Sequence, residues 1–202
     1  MTAKFFAFFS ITYLALVCEL AFGISVIDRN LDQLLEKSDE VVYGVVTNIS
    51  SRYGSGKSSE QIYTYVDLSE VVSLKRPHEY DGTVFTLRIA GGRVGNRMQV
   101  IPGSPKFKLN TRYILFVKGN NQVSLPLVGI NQGFLPATFD ASMNDYRIAF
   151  DKRTEKIFSA LFPEASPSAN RSIKPLSERL PPGELMRLLS VKWQLRNNEE
   201  GL

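Results

Sequence analysis

Alternation between apolar and polar positions is the strongest pattern in the chain. Ile62, Thr64, Val66 and Leu68 take turns with Tyr63, Tyr65, Asp67 and Ser69, the period-two signature of a strand with one buried face. Thr83 to Ile89 repeats the theme, with Phe85, Leu87 and Ile89 on one side and Thr86 and Arg88 on the other. Val41 to Thr47 is dense in β-branched residues and reads as a strand, in which Gly44 predicts a bulge or a bend. Tyr113 to Val117 is apolar throughout, as expected of a central strand. Further strands are predicted over Val123–Ile130, Gly133–Phe139, Tyr146–Phe150 and Lys156–Phe158, with Ala141–Asp145 as a hairpin loop.

Helical periodicity is confined to the two ends. Leu31, Leu34 and Leu35 follow an acidic cap candidate at Asp28 and predict a short helix to Lys37. Near the C-terminus, Leu185, Leu188, Leu189 and Lys192 share a stripe, with Met186 and Trp193 beside it, in a helix expected to start at Pro182 or Gly183. That stripe reads as a face docked on the core. Pro163, Pro167, Pro175, Pro181 and Pro182 are half of the ten prolines and mark a linker. The expected fold class is all-β: an OB-like or related small β-barrel with a short N-terminal helix and a C-terminal amphipathic helix. Residues 24–160 form the barrel domain, 161–181 the proline-rich linker, and 182–202 the final helix and tail.

The start of the chain changes the picture of where this barrel works. Lys4 precedes an apolar run from Phe5 to Val17, and Ala21-Phe22-Gly23 follows. This is the plan of a secretory signal peptide over residues 1–23, with an uncleaved anchor as the alternative. Cleavage after Gly23 would remove Cys18, the one cysteine. The remaining domain would then hold by its core alone, as expected in a bacterial periplasm or outside the cell. A net charge of +4 and a pI near 9.2 are too mild to argue nucleic-acid binding.

Candidate chemistry is sparse. Gly91 to Phe107 holds four glycines and two prolines, yet the glycines at 91, 92 and 95 fit neither phosphate-loop spacing. The stretch reads as a kinked link between strands; the alternative is a binding rim in which Arg93 and Arg97 face solvent near the barrel mouth. His78 is the one histidine, in a polar turn, and no Ser/His or zinc-ligand pattern accompanies it. Asp140, Asn144 and Asp145 lack the calcium-loop pattern. No metal and no cofactor are expected. Asp67 and Glu70 fall on opposite faces by alternation, so they do not form a carboxylate pair. Tyr63 and Tyr65 share a strand face, with Arg52 and Tyr53 just upstream, the aromatic-and-cation pattern by which OB barrels stack bases or sugars. The alternative is that this face is covered by the terminal helix or the proline-rich segment.

The segments "LLEKSDEVVYGVV", "IYTYVDLSEVVSLKRP", "FTLRIAGGRVGNRMQVIPGSPKFKLNTRYILFV" and "PLVGINQGFLP" resemble a family of exported bacterial proteins of unassigned function. In plan, "SDEVVYGVV" and the strand-rich body also resemble netrin-like modules, as in tissue inhibitors of metalloproteinases. That resemblance implies an OB-type barrel and an envelope location. It does not carry over metal-chelating inhibition, because no cysteine heads the domain. The expectation is a non-enzymatic binding module with a protein or glycan partner in the cell envelope, and no nucleic acid or membrane span after cleavage. Its ligand residues would be Arg52, Tyr53, Tyr63, Tyr65, Arg93 and Arg97. The alternatives are an envelope polysaccharide hydrolase with two carboxylates and an inhibitor of a secreted protease.

Overall fold

The computed structural model describes residues 29–75, 84–162 and 180–200. The expected leader over residues 1–23, Asp28, His78 and most of the proline-rich segment lie outside these residues. Eight strands follow in chain order: β1 (Glu40–Tyr53), β2 (Ile62–Ser73), β3 (Phe85–Ala90), β4 (Gly92–Val94), β5 (Arg97–Gln99), β6 (Arg112–Val117), β7 (Phe134–Asp140) and β8 (Asp145–Ile148). Six of them make one antiparallel sheet in the order β3-β2-β1-β6-β7-β8, and β4 pairs with β5 in a separate hairpin. Among the described residues three α-helices accompany them: α1 (Leu31–Lys37), α2 (Lys152–Phe158) and α3 (Pro182–Glu200). Among the described residues no helix is long and apolar enough to cross a membrane.

The protein is therefore β-rich, as the alternation predicts, but no ladder joins β3 to β6 among the described residues, and the sheet stays open. β6 is the central strand. Its Ile114 and Phe116 enter one core, and its Tyr113, Leu115 and Val117 enter another on the opposite face. The first core is covered by helices. Leu31, Leu34 and Leu35 of α1, Phe158 of α2, and Leu185, Met186 and Leu189 of α3 meet Val41, Ile114, Phe116, Leu135 and Ile148 there. The C-terminal stripe is thus docked. Lys192 also bonds Asp32 of α1 at 2.8 Å, and Lys75 Nζ lies 3.9 Å over the Trp193 ring. The second core is made by the sheet itself, where β3, β2, β1 and β6 gather Phe85, Leu87, Ile89, Val66, Leu68, Val42 and Leu115.

Two bulges in the β1–β2 ladder break its register. Gly44 alone faces the pair Glu70–Val71, and Thr47 is an extra residue between Val46 and Asn48. Glu70 takes φ +52 at the first of them. A Cβ on Gly44 would come 3.0 Å from the Ser69 carbonyl oxygen, so the bulge foreseen at this glycine is also a close approach of two backbones.

Three expectations need correction. The cap of α1 is Asn30, in a capping box with Gln33, rather than Asp28. Lys156–Phe158 is not a strand. It ends α2, which Asp151 starts by accepting a bond from the Thr154 amide at 2.7 Å, and this local cap outweighs a short apolar run. Val123–Ile130 does not return as a strand either. Gly119, Asn121, Gly129 and Ile130 all adopt positive φ, which bends the chain out of extended form, and only Leu127 makes a bridge, to Val117. This loop occupies the gap between β3 and β6. The Asn120 side chain donates to the Thr86 carbonyl at 2.8 Å and accepts from the Arg88 amide at 3.0 Å. One carboxamide thereby stands in for a peptide unit on the free edge of β3, and the Ala90 amide donates to the Ser124 carbonyl beside it.

Candidate functional site

At the end of β3 the chain must turn sharply onto the second face of the sheet, and two glycines permit it. Gly91 has φ +96 and Gly92 φ +133, values that disfavour a side chain. Gly92 is also pressed against the sheet: a Cβ there would lie 2.4 Å from Thr64 Oγ1 and 2.5 Å from Ser51 Oγ. Polar bonds pin the crossing. The Gly91 amide donates to the Ile62 carbonyl, Thr64 Oγ1 donates to the Gly91 carbonyl, and the Ile62 amide donates to Gln99 Oε1 at 2.9 Å. The glycine-rich stretch is thus a hairpin clamped across β1 and β2, in keeping with the kinked link expected from sequence.

After β5 the chain runs back over the sheet as a strap, residues 100–107. Phe107 anchors its far end against Tyr113 and Phe134, with ring centroids 5.1 and 5.0 Å away. The Tyr113 hydroxyl accepts from the Lys108 amide at 3.0 Å. Between strap and sheet lies a groove of about 600 Å³. Its floor is Ile49, Val66 and Ile89, and its roof includes Ile101, Pro102 and Pro105. Met98 and Val100 form the lip and are 67% and 70% exposed. Arg93 and Lys106 line the same groove. Arg97 borders an adjoining depression with Glu60 and Gln61.

The six residues singled out from sequence fall into two groups. Arg93 and Arg97 are exposed on the hairpin. Arg52, Tyr63 and Tyr65 lie on the opposite face of the sheet, since Arg52 pairs with Tyr63 and Tyr65 with Arg88. Tyr53 pairs with Ile62, one residue out of step with Arg52, which turns it toward the hairpin side. The tyrosines on the far face are held by arginines: Arg52 sits 3.9 Å over the Tyr65 ring and Arg88 4.4 Å over Tyr63. Tyr63 is only 6% exposed. One face of each ring is thus taken by a guanidinium of the sheet itself.

The same face continues toward the helices as a polar network. Asp67 accepts from Asn48 Nδ2 at 2.9 Å and from Thr86 Oγ1 at 2.7 Å. Arg112 donates to Glu70 and lies 5.1 Å from the Tyr146 ring and 5.7 Å from that of Tyr43. Partial burial works against its charge, but the hydrogen bonds to Glu70 and Tyr146 prevail and raise its pKa. Burial raises the Tyr43 phenol, with Arg112 opposing. Glu70 and Asp67 are therefore on one face, contrary to the alternation argument, because the bulge at Glu70 resets the register. Each carboxylate is committed to its own partners: Glu70 to Arg112, Asp67 to Asn48 and Thr86.

What the sequence reading missed is the groove and the full set of cations around it. A signal was present. Between Asp81 and Asp140 the chain has no aspartate or glutamate, while Arg88, Arg93, Arg97, Lys106, Lys108, Arg112 and Lys118 all fall there. The overall charge of +4 conceals this segregation. Comparison of the chain with protein-family models, with curated proteins and with solved structures found no match.

Proposed function

We propose that this chain is a non-enzymatic, exported binding module of the bacterial envelope, built on an OB-related sheet, with its ligand seat in the groove beneath the Gly91–Phe107 segment. The open curl of β3-β2-β1-β6 around its own core, with a loop in the gap between β3 and β6, supports the OB-related reading. One observation carries the function: a groove of about 600 Å³ with an apolar floor and roof and a few polar groups at its rim. Volume and lining of this kind characterise small-ligand seats. Arg93 and Arg97 remain rim residues in this reading. Arg52, Tyr63 and Tyr65 form a second polar surface, through which a protein or glycan partner could be engaged.

The test uses Nile red, a neutral dye that brightens in apolar surroundings. The full chain is expected to bind it saturably at one site. Ile49→Trp fills the floor and Val100→Glu makes the lip polar, and both are expected to abolish the signal while far-UV circular dichroism stays unchanged. Absence of saturable binding, or undiminished binding in both folded variants, overturns the proposal.

A further inference from the structure

We infer that the groove takes the apolar tail of an anionic single-chain amphiphile, and that Arg93, Arg97, Lys106 and Lys108 hold its head group. The inference rests on the groove being a ligand seat and adds the chemical class of the ligand. Its basis is the position of cations around an apolar groove. Other cations of the protein are engaged by its own groups: Arg112, Arg147, Arg187 and Lys192 by carboxylates, Arg52 and Arg88 by tyrosine rings, and Lys75 by backbone carbonyls. Among the described residues, no ion pair joins any of the four groove cations to a carboxylate. Arg93 and Lys106 line the groove itself, Arg97 borders the adjoining depression that Glu60 shares, and Lys108 is exposed one residue beyond the anchor Phe107. The run from residue 82 to 139 contributes no carboxylate to neutralise them.

Such a cluster repels itself in the free protein. It also stands beside Met98 and Val100, two large apolar side chains left mostly in water. A ligand with a tail and a negative head relieves both conditions together: the tail covers the lip and fills the groove, and the head neutralises the rim. A neutral apolar ligand would leave the repulsion, and a hydrophilic anion would leave the groove wet. The site is a partly open groove beneath the strap, a shape that suits one chain laid along it.

Displacement of Nile red separates this inference from the one beneath it. Three amphiphiles with the same dodecyl tail are compared as monomers: dodecyl phosphate, dodecyl phosphocholine and dodecyl trimethylammonium. Dodecyl phosphate is expected to displace the dye at concentrations about tenfold lower than the other two, an advantage that shrinks as salt is raised. The combined variant R93Q, R97Q, K106Q and K108Q removes no ion pair. Relief of the repulsion is expected to hold or raise its thermal midpoint, and the variant is expected to keep its Nile red binding while losing the head-group preference. Equal displacement by all three heads, or a preference that survives in the variant, overturns the anionic head while leaving the groove intact. Failure of Nile red to bind overturns the groove itself. Sedimentation with anionic vesicles, without displacement by monomeric dodecyl phosphate, assigns the patch to a membrane surface and likewise overturns the inference.

Discussion

On the helical face of the sheet, Leu34, Ile114, Phe116, Phe158 and Leu185 are fully buried, and three helices close over them. On the opposite face the same sheet is covered by a strap and a loop, and at Ile49, Val66 and Ile89 a groove remains. Helices bring rows of apolar side chains that interlock with a sheet and fill the space between. The strap contains Pro102, Gly103 and Pro105, which shape its backbone but supply little bulk, so it spans the sheet instead of filling it. The charges divide along the same line. Cations of α3 are paired with carboxylates, whereas those of the hairpin and strap face water. One face is packed solid by helices, and the other keeps an open groove with cations beside it.

The sharpest way to break this comparison is to remove one large side chain from each face. Phe158→Ala should cost about 3–5 kcal/mol, because the ring is fully buried and stacked near Phe116 and Phe150. Ile49→Ala, at the groove floor, should cost only about 1 kcal/mol, since part of its surface already borders open space. Equal costs in denaturant unfolding would erase the distinction. Next in size is Gly92→Ala. The residue would combine φ +133 with contacts of 2.4 and 2.5 Å to Thr64 and Ser51, and the backbone strain alone is worth about 1–3 kcal/mol. Gly95→Ala, where nothing lies within 4 Å, should be milder in the same thermal melts. If the two variants melted together, the clamp of hairpin on sheet would not be the constraint described. A comparably modest effect is expected at Asn120→Ala. Loss of its two bonds to β3 should cost about 1–2 kcal/mol and speed hydrogen exchange at the Arg88 amide. Unaltered exchange there would mean that the loop does not seal the edge of β3.

Much of this architecture can be read from local pattern, with instructive exceptions. The alternation from Ile62 to Leu68 assigns the inner face correctly, and the apolar run of β6 marks the strand buried on both sides. Leu31, Leu34 and Leu35 of α1 and Leu185 and Leu189 of α3 are buried as their spacing predicts, with Leu188 partly so. Alternation fails at Glu70, where a bulge adds a residue and carries the next carboxylate to the face that simple counting denies it. It fails again in the loop after β6, whose apolar residues imitate a strand while positive φ angles prevent one. For α2 the deciding signal was polar: Asp151 and Thr154 define its start more firmly than Ile157 and Phe158 define a strand.

By itself, then, the sequence determined which residues extend, which coil, and which side of each element is oily, because those properties repeat over a few residues and depend on near neighbours. It also determined where carboxylates are missing. Tertiary structure alone decided that Ile49, Val66, Ile89 and the strap from Val100 to Phe107 face one another across a gap. A cavity is a failure of distant segments to meet completely, and no local period records it. The same holds for Arg93 and Lys106, which line one groove only once the hairpin folds back on two glycines.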